Sequence, residues 1–98
     1  MNILVIGSGG REHAIVDALS LSPLVRKLYA APGNGGMHSQ ATVTPIAADD
    51  ISSLISFALE KSIDVTFVGP EAPLSMGIVD AFRARGLKIV GPTREMAQ

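Results

Sequence analysis

Two kinds of segment alternate along the chain. The first is a short apolar run: Ile3-Leu4-Val5-Ile6, Leu28-Tyr29-Ala30-Ala31, Val65-Thr66-Phe67-Val68 and Ile89-Val90, each closed by Gly or Pro. Runs this short, with little polar alternation, predict strands buried on both faces of a parallel sheet. A weaker run, Thr42-Val43-Thr44, predicts an edge strand. The second kind has helical spacing. Ile51, Leu54, Ile55, Ala58 and Leu59 fall at i, i+3, i+4, i+7 and i+8, with Asp50 placed to cap the helix. Ala14, Ile15, Ala18 and Leu19 form a stripe on an earlier helix, which Ser22-Pro23 stops. A third helix is predicted from about Leu74 to Arg85, ended by Gly86.

Strand and helix in alternation predict an α/β fold: a doubly wound parallel sheet of four to five strands, with helices on both faces and right-handed crossovers. In such Rossmann-like sheets ligands sit beyond the carboxyl ends of the strands, where the strand order reverses. The turns expected at those ends are Gly7-Ser8-Gly9-Gly10, Pro32-Gly33-Asn34-Gly35-Gly36, Gly69-Pro70-Glu71 and Gly91-Pro92-Thr93. Much of the chain's glycine therefore gathers on one rim, which is the expected site.

Composition narrows the picture. A chain of 98 residues supports one domain with one core, and 47% hydrophobic residues argue against disorder. The net charge of −1 and scattered basic residues give no reason to expect a nucleic-acid or membrane partner. No cysteine is present, which excludes disulfides and thiolate metal sites. The amino terminus lacks the charged and apolar regions of a signal peptide, so a cytoplasmic protein is expected.

Chemistry concentrates at Gly7-Ser8-Gly9-Gly10-Arg11-Glu12-His13. Glycines between a strand and a helix let backbone N–H groups approach an anion, and the helix amino terminus adds partial positive charge, so a phosphate is the natural guest. A dinucleotide is disfavoured. The G-x-G-x-x-G fingerprint wants a third glycine where this chain has Glu12, and an acid after the second strand, which instead ends Ala30-Ala31-Pro32. Arg11 or His13 can reach a ligand while Glu12 contacts a hydroxyl or amine; equally, all three can be solvated polar residues of a first turn. Glu71, just past a buried strand, suits sugar hydroxyls or an amine, or simply starts a helix. Asn34 is either a turn former or an amide contact, and His38 is read as solvated. Neither Ser8 nor Ser75 has a recognisable base partner, and two separated histidines do not make a metal site. This is a binding half without catalytic residues.

The opening Met1-Asn2-Ile3-Leu4-Val5-Ile6-Gly7-Ser8-Gly9-Gly10-Arg11-Glu12-His13-Ala14 closely resembles the start of the phosphoribosylamine–glycine ligases, also called glycinamide ribonucleotide synthetases. The resemblance continues through Ser22-Pro23, Ala31-Pro32-Gly33-Asn34, Val68-Gly69-Pro70-Glu71-Ala72-Pro73-Leu74, Gly77-Ile78-Val79-Asp80 and Gly91-Pro92-Thr93, in the family's order. Gly35-Gly36-Met37-His38 departs from the pattern expected of that loop.

The resemblance implies an ATP-grasp enzyme of purine synthesis. It joins the amine of 5-phosphoribosylamine to the carboxylate of glycine by way of an acyl phosphate, with ATP and magnesium or manganese. Residues 1–98 would be its amino-terminal substrate-binding domain, a pre-ATP-grasp unit, inactive alone. ATP would bind mainly in later domains of the same polypeptide. By the same resemblance Gly9, Gly10 and Arg11 take the phosphate and Glu71 the ribose or amine, with Glu12 and Asn34 as further contacts. Two other readings are an NAD(P)-dependent oxidoreductase domain, and a non-catalytic module of the same fold. Loss of a neighbouring domain is expected to expose apolar surface, with Leu74, Met76 and Met96 as contributors.

Overall fold

The computed structural model describes residues 1–70, 73, 74 and 76–91. Five strands, β1 (Asn2–Gly7), β2 (Lys27–Pro32), β3 (Thr42–Val43), β4 (Val65–Val68) and β5 (Ile89–Val90), form one sheet in the order β3-β2-β1-β4-β5. Every neighbouring pair is parallel. The weak run at Thr42 is the edge strand the pattern predicts. The order reverses between β1 and β4, and the register sets Gly7 opposite Pro32 and Ile6 opposite Val68. The carboxyl ends of the three central strands are therefore flush, and their turns share one rim.

Side-chain alternation along β1 divides the core in two. Ile3 and Val5 point to one face, with Val16, Leu28, Ala30 and Met37. Leu4 and Ile6 point to the other, with Leu54, Ile55, Ala58, Ile78 and Phe82. Helix α1 (Gly10–Ser20) covers the first face, and α2 (Ile51–Glu60) and α3 (Ile78–Ala84) cover the second. The sheet is thus doubly wound, with helices on both sides.

Each helix departs from its pattern at one point. In α1 the inward stripe is Glu12, Ile15, Val16 and Leu19, while Ala14 and Ala18 are exposed. Counting apolar residues alone rotates the helix, because one of the inward positions is a glutamate. In α2 the Asp50 carboxylate caps the helix by accepting from the Ser53 N–H at 3.3 Å. Leu59, in its last turn, is exposed; Phe57 instead packs its ring edge-on against Tyr29 with centroids 5.1 Å apart. Pro73 and Leu74 are helical, near the predicted start, but the regular helix α3 begins only at Ile78. Gly77 stands before it at φ +84°, a left-handed conformation that interrupts the helical path though the apolar spacing runs through it. Among the described residues, no helix is long and apolar enough to cross a membrane.

Candidate functional site

At the end of β1 the chain turns through Ser8 and Gly9 into α1. Gly9 is the N-cap, in an extended conformation, and no side chain caps the helix. The first helical hydrogen bond runs from His13 N–H to the Gly9 carbonyl at 3.0 Å. The N–H groups of Gly10, Arg11 and Glu12 precede it and carry the positive end of the helix dipole. Ser8, Gly9, Gly10 and Arg11 are exposed, and a methyl group placed on Gly10 would touch nothing within 4 Å. The mouth of α1 is open to an anion, with the Arg11 guanidinium beside it.

Directly behind that mouth lies Glu12, only 5% exposed. Three glycines make its slot. A methyl carbon on Gly69 would lie 2.7 Å from the Glu12 carboxyl carbon, and one on Gly7 would overlap the same carboxylate. One on Gly9 would stand 3.6 Å from Glu12 Oε2. Gly7 ends β1 and Gly69 follows β4, so the carboxylate sits at the reversal of strand order. Among the described residues its ion-pair partner is Arg11, with Nε 3.9 Å from Oε2. In dinucleotide folds the third glycine keeps the helix small where it meets the sheet. Here the helix carries the large side chain and the strand ends supply the space.

A second loop is tied to the first. The Asn34 side-chain amide donates to the Ser8 carbonyl at 2.9 Å, and its oxygen accepts from the Gly36 N–H at 2.9 Å. The His13 ring lies against Gly36, where a methyl carbon would come within 2.7 Å of Cε1. His13 Nε2 is 3.7 Å from Asp17 Oδ1, one turn along. The contacts observed for Asn34 are those of a turn former that holds the β1–α1 turn from the side. Replacing it by alanine removes both bonds, and the expected cost is about 1–2 kcal/mol, measured as a lowered denaturant midpoint. Amide shifts are expected to change from Ser8 to Gly10 as well as around Gly36.

Gly9, Gly10, Arg11, Glu12 and Asn34 therefore meet on one rim. Glu71 lies outside the described residues, as do Ser75, Pro92, Thr93 and Met96. His38 is exposed, near Arg26, Lys27 and Gln40. Leu74 is half-buried against the second core face and adds little to the surface, whereas Met76 is exposed. Sequence reasoning missed the partnership of Gly7 and Gly69 with Glu12. Its signal was the coincidence of a lost third glycine with an extra glycine after β4. Beside Arg11, a small apolar recess of about 70 Å³ is floored by Ile15, Phe67 and Val90.

Comparison with known proteins bears on all of this. A family model described as "Phosphoribosylglycinamide synthetase, N domain" matches residues 1–98. A phosphoribosylamine–glycine ligase from Yersinia pestis is 55% identical over 100 aligned residues, covering 100% of this chain and 23% of the relative. Ligases of the same name from Pasteurella multocida (strain Pm70) and Caldanaerobacter subterraneus are 52% and 53% identical, over 100% and 99% of this chain and again 23% of their own length. The chain thus spans about a quarter of the length of the relatives it matches.

Proposed function

The chain belongs to the phosphoribosylglycinamide synthetase N-domain family, and from that premise we propose that it is the sugar-phosphate-binding domain of a phosphoribosylamine–glycine ligase. The whole enzyme joins 5-phosphoribosylamine to glycine at the expense of ATP, a step of purine synthesis. This domain holds the phosphoribosylamine. The observation that carries the reading is the pairing, on one short turn, of an uncapped helix mouth with a buried carboxylate. Such a site takes a phosphate at one end and a hydrogen-bond donor at the other.

In this reading the N–H groups of Gly10 and Arg11 and the Arg11 guanidinium bind the phosphate, and Gly9 lets it come close. The Glu12 carboxylate accepts from a hydroxyl or amine of the sugar. Asn34 acts one step removed, by fixing the Ser8 carbonyl and with it the path of the glycine turn. Glu71 is assigned to the ribose or amine on the family's pattern alone. Glycine and ATP belong to the remaining three-quarters of the relatives' length.

The described rim does not fit a magnesium site. It offers the single carboxylate of Glu12, and among the described residues no three His, Asp or Glu side chains converge. Magnesium and ATP are accordingly assigned to later parts of the polypeptide. Balanced charge and a water-soluble substrate fit a cytoplasmic enzyme with neither membrane nor nucleic acid as partner.

The test is a titration of the chain with ribose 5-phosphate, a stable relative of the substrate, followed by amide NMR with NAD as control. Saturable shifts at Gly9, Gly10 and Arg11 with the sugar phosphate are expected, and none with NAD. Removing the cation by Arg11→Ala is expected to weaken ribose 5-phosphate by roughly 10- to 100-fold, the worth of one charge-assisted hydrogen bond. Saturable binding of NAD alone would overturn the reading in favour of a dinucleotide domain.

A further inference from the structure

We propose that His13 is a positioning residue of this site: it braces the loop after β2, from which Asn34 fixes the anion-binding turn, and it acts through that loop and not by contact with the ligand. The inference rests on the reading above, that the mouth of α1 takes the sugar phosphate. It goes beyond that reading by assigning the residue that keeps the mouth in shape.

The turn between β1 and α1 has no side-chain cap, so its shape is set by what holds its carbonyls. Three successive ones are held. Gly7 accepts from the Gly33 N–H at 3.1 Å, Ser8 from the Asn34 side-chain amide at 2.9 Å, and Gly9 from the His13 N–H at 3.0 Å. Each peptide unit is planar, so fixing these carbonyls aims the N–H groups of Ser8, Gly9 and Gly10. Two of the three bonds come from the loop after β2.

That loop reads Gly33-Asn34-Gly35-Gly36, with one side chain in four residues, and has little of its own to order it. Its two ends are packed from outside. A methyl carbon on Gly33 would lie 3.1 Å from the Val43 side chain and 3.2 Å from that of Ala30. One on Gly36 would lie 2.7 Å from His13 Cε1 and 3.4 Å from Nδ1. One on Gly35 would meet nothing within 4 Å. Asn34 is therefore held between a wall on the strand side and the His13 ring. Beyond the loop, the fully buried Met37 shares a core face with Val16, which lies one turn along α1 from His13. The helix whose mouth forms the site thus braces the loop that shapes the mouth.

From sequence alone His13 is either a ligand contact or a solvated residue of a first turn. The structure gives its ring another task. The Cε1–Nδ1 edge faces Gly36, and Nε2 lies 3.7 Å from Asp17 Oδ1, one turn down the helix and away from the mouth. Arg11, with its side chain 57% exposed, remains the cation at the mouth. A site held ready in this way loses less binding free energy to ordering when ligand arrives. Without the ring the loop is free to move, and the ligand must order it.

The experiment is a double-substitution cycle between His13→Ala and Asn34→Ala, read by titration with ribose 5-phosphate on the amide NMR spectrum. Each single variant is expected to weaken binding by roughly threefold to tenfold. The pair together is expected to weaken it no more than the stronger single effect, because both act through the same loop. Gly36→Ala is the independent probe. Gly36 has no left-handed φ, so the new methyl group acts by displacing the ring, with α1 itself unaltered, and a loss of the same size is expected. It also covers the case in which His13→Ala does not fold. A merely structural role predicts lowered stability with unaltered affinity of the folded protein, as for Phe82→Ala on the opposite sheet face. Affinity unchanged in His13→Ala, or losses that multiply in the pair, overturns the proposal. If the unaltered chain does not bind ribose 5-phosphate, the broader reading fails. The inference is then decided without ligand, by the Asn34 side-chain amide signals. Movement of those signals towards a solvent-exposed amide in His13→Ala and Gly36→Ala supports it, and unmoved signals overturn it.

Discussion

Alanine at position 7 is expected to lower the free energy of unfolding by about 2–6 kcal/mol. Two separate penalties add. Gly7 has φ +136°, which side-chain-bearing residues rarely adopt, and holding one there costs on the order of 1–3 kcal/mol. The new methyl group would also overlap the Glu12 carboxylate, and overpacking of this kind costs about 1–3 kcal/mol unless the neighbour moves. Position 69 separates the two contributions. No left-handed φ is involved at Gly69, so Gly69→Ala is expected to cost only the collision with Glu12, whose carboxyl carbon would be 2.7 Å away.

Adding Glu12→Ala to each variant then gives a decisive comparison in urea unfolding. With position 69 changed, truncating Glu12 is expected to restore most of the lost stability. With position 7 changed, it restores only part, because the backbone strain remains. If Glu12→Ala rescues neither variant, the slot as described is wrong. If Gly69→Ala is neutral from the start, the carboxylate leaves its slot without cost.

How much of this could be read from the chain is best judged residue by residue. The strands were legible because their apolar runs are short and end in Gly or Pro, and even the two-residue edge at Thr42–Val43 left a trace. Two helical readings held only in part, for different reasons. The apolar stripe placed Ala14 and Ala18 inward on α1, because a hydrophobic count has no way to score a buried glutamate. On the third helix, Leu74, Ile78, Ala81 and Phe82 keep helical spacing across Gly77, and periodicity is silent about a glycine whose φ is +84°.

The site divides in the same way. Glycine-rich turn chemistry at Gly7–Gly10 is local and was visible. The bond from Asn34 to the Ser8 carbonyl spans 26 residues and exists only because β2 lies beside β1. Glu12 acquires its slot only because β4 lies on the other side of β1 and brings Gly69 to it. Strand order, which no local pattern records, converts an ordinary first-turn glutamate into a buried one.

A loss of comparable size is expected from Phe82→Ala, at about 3–5 kcal/mol. Phe82 is fully buried and among the bulkiest side chains in the core. It lies on α3, a helix of seven residues that cannot be stable alone, since a helix this short does not recover the cost of its own nucleation. Ile78 and Phe82 supply the burial that holds it against Leu54, Ile55 and Ala58 of α2 and Ile89 of β5. The turn that follows also depends on this residue, because the N–H groups of Arg85 and Leu87 both donate to the Phe82 carbonyl at 3.0 Å.

Alanine leaves a cavity in the middle of that face. For a domain whose total stability is of the usual order of 5–15 kcal/mol, the loss is about a fifth of it at the least. The check is a denaturant curve with slope unchanged and midpoint displaced. Binding separates this effect from the site. Phe82 lies on the sheet face opposite α1, so the folded fraction of the variant is expected to bind ribose 5-phosphate with unaltered affinity, and saturating ligand raises the midpoint by linkage. Arg11→Ala should show the reverse pattern, a stable protein that binds poorly. A Phe82→Ala protein that loses less than about 1 kcal/mol would mean that α3 is not anchored through this ring, since truncation of a fully enclosed aromatic cannot otherwise be so cheap.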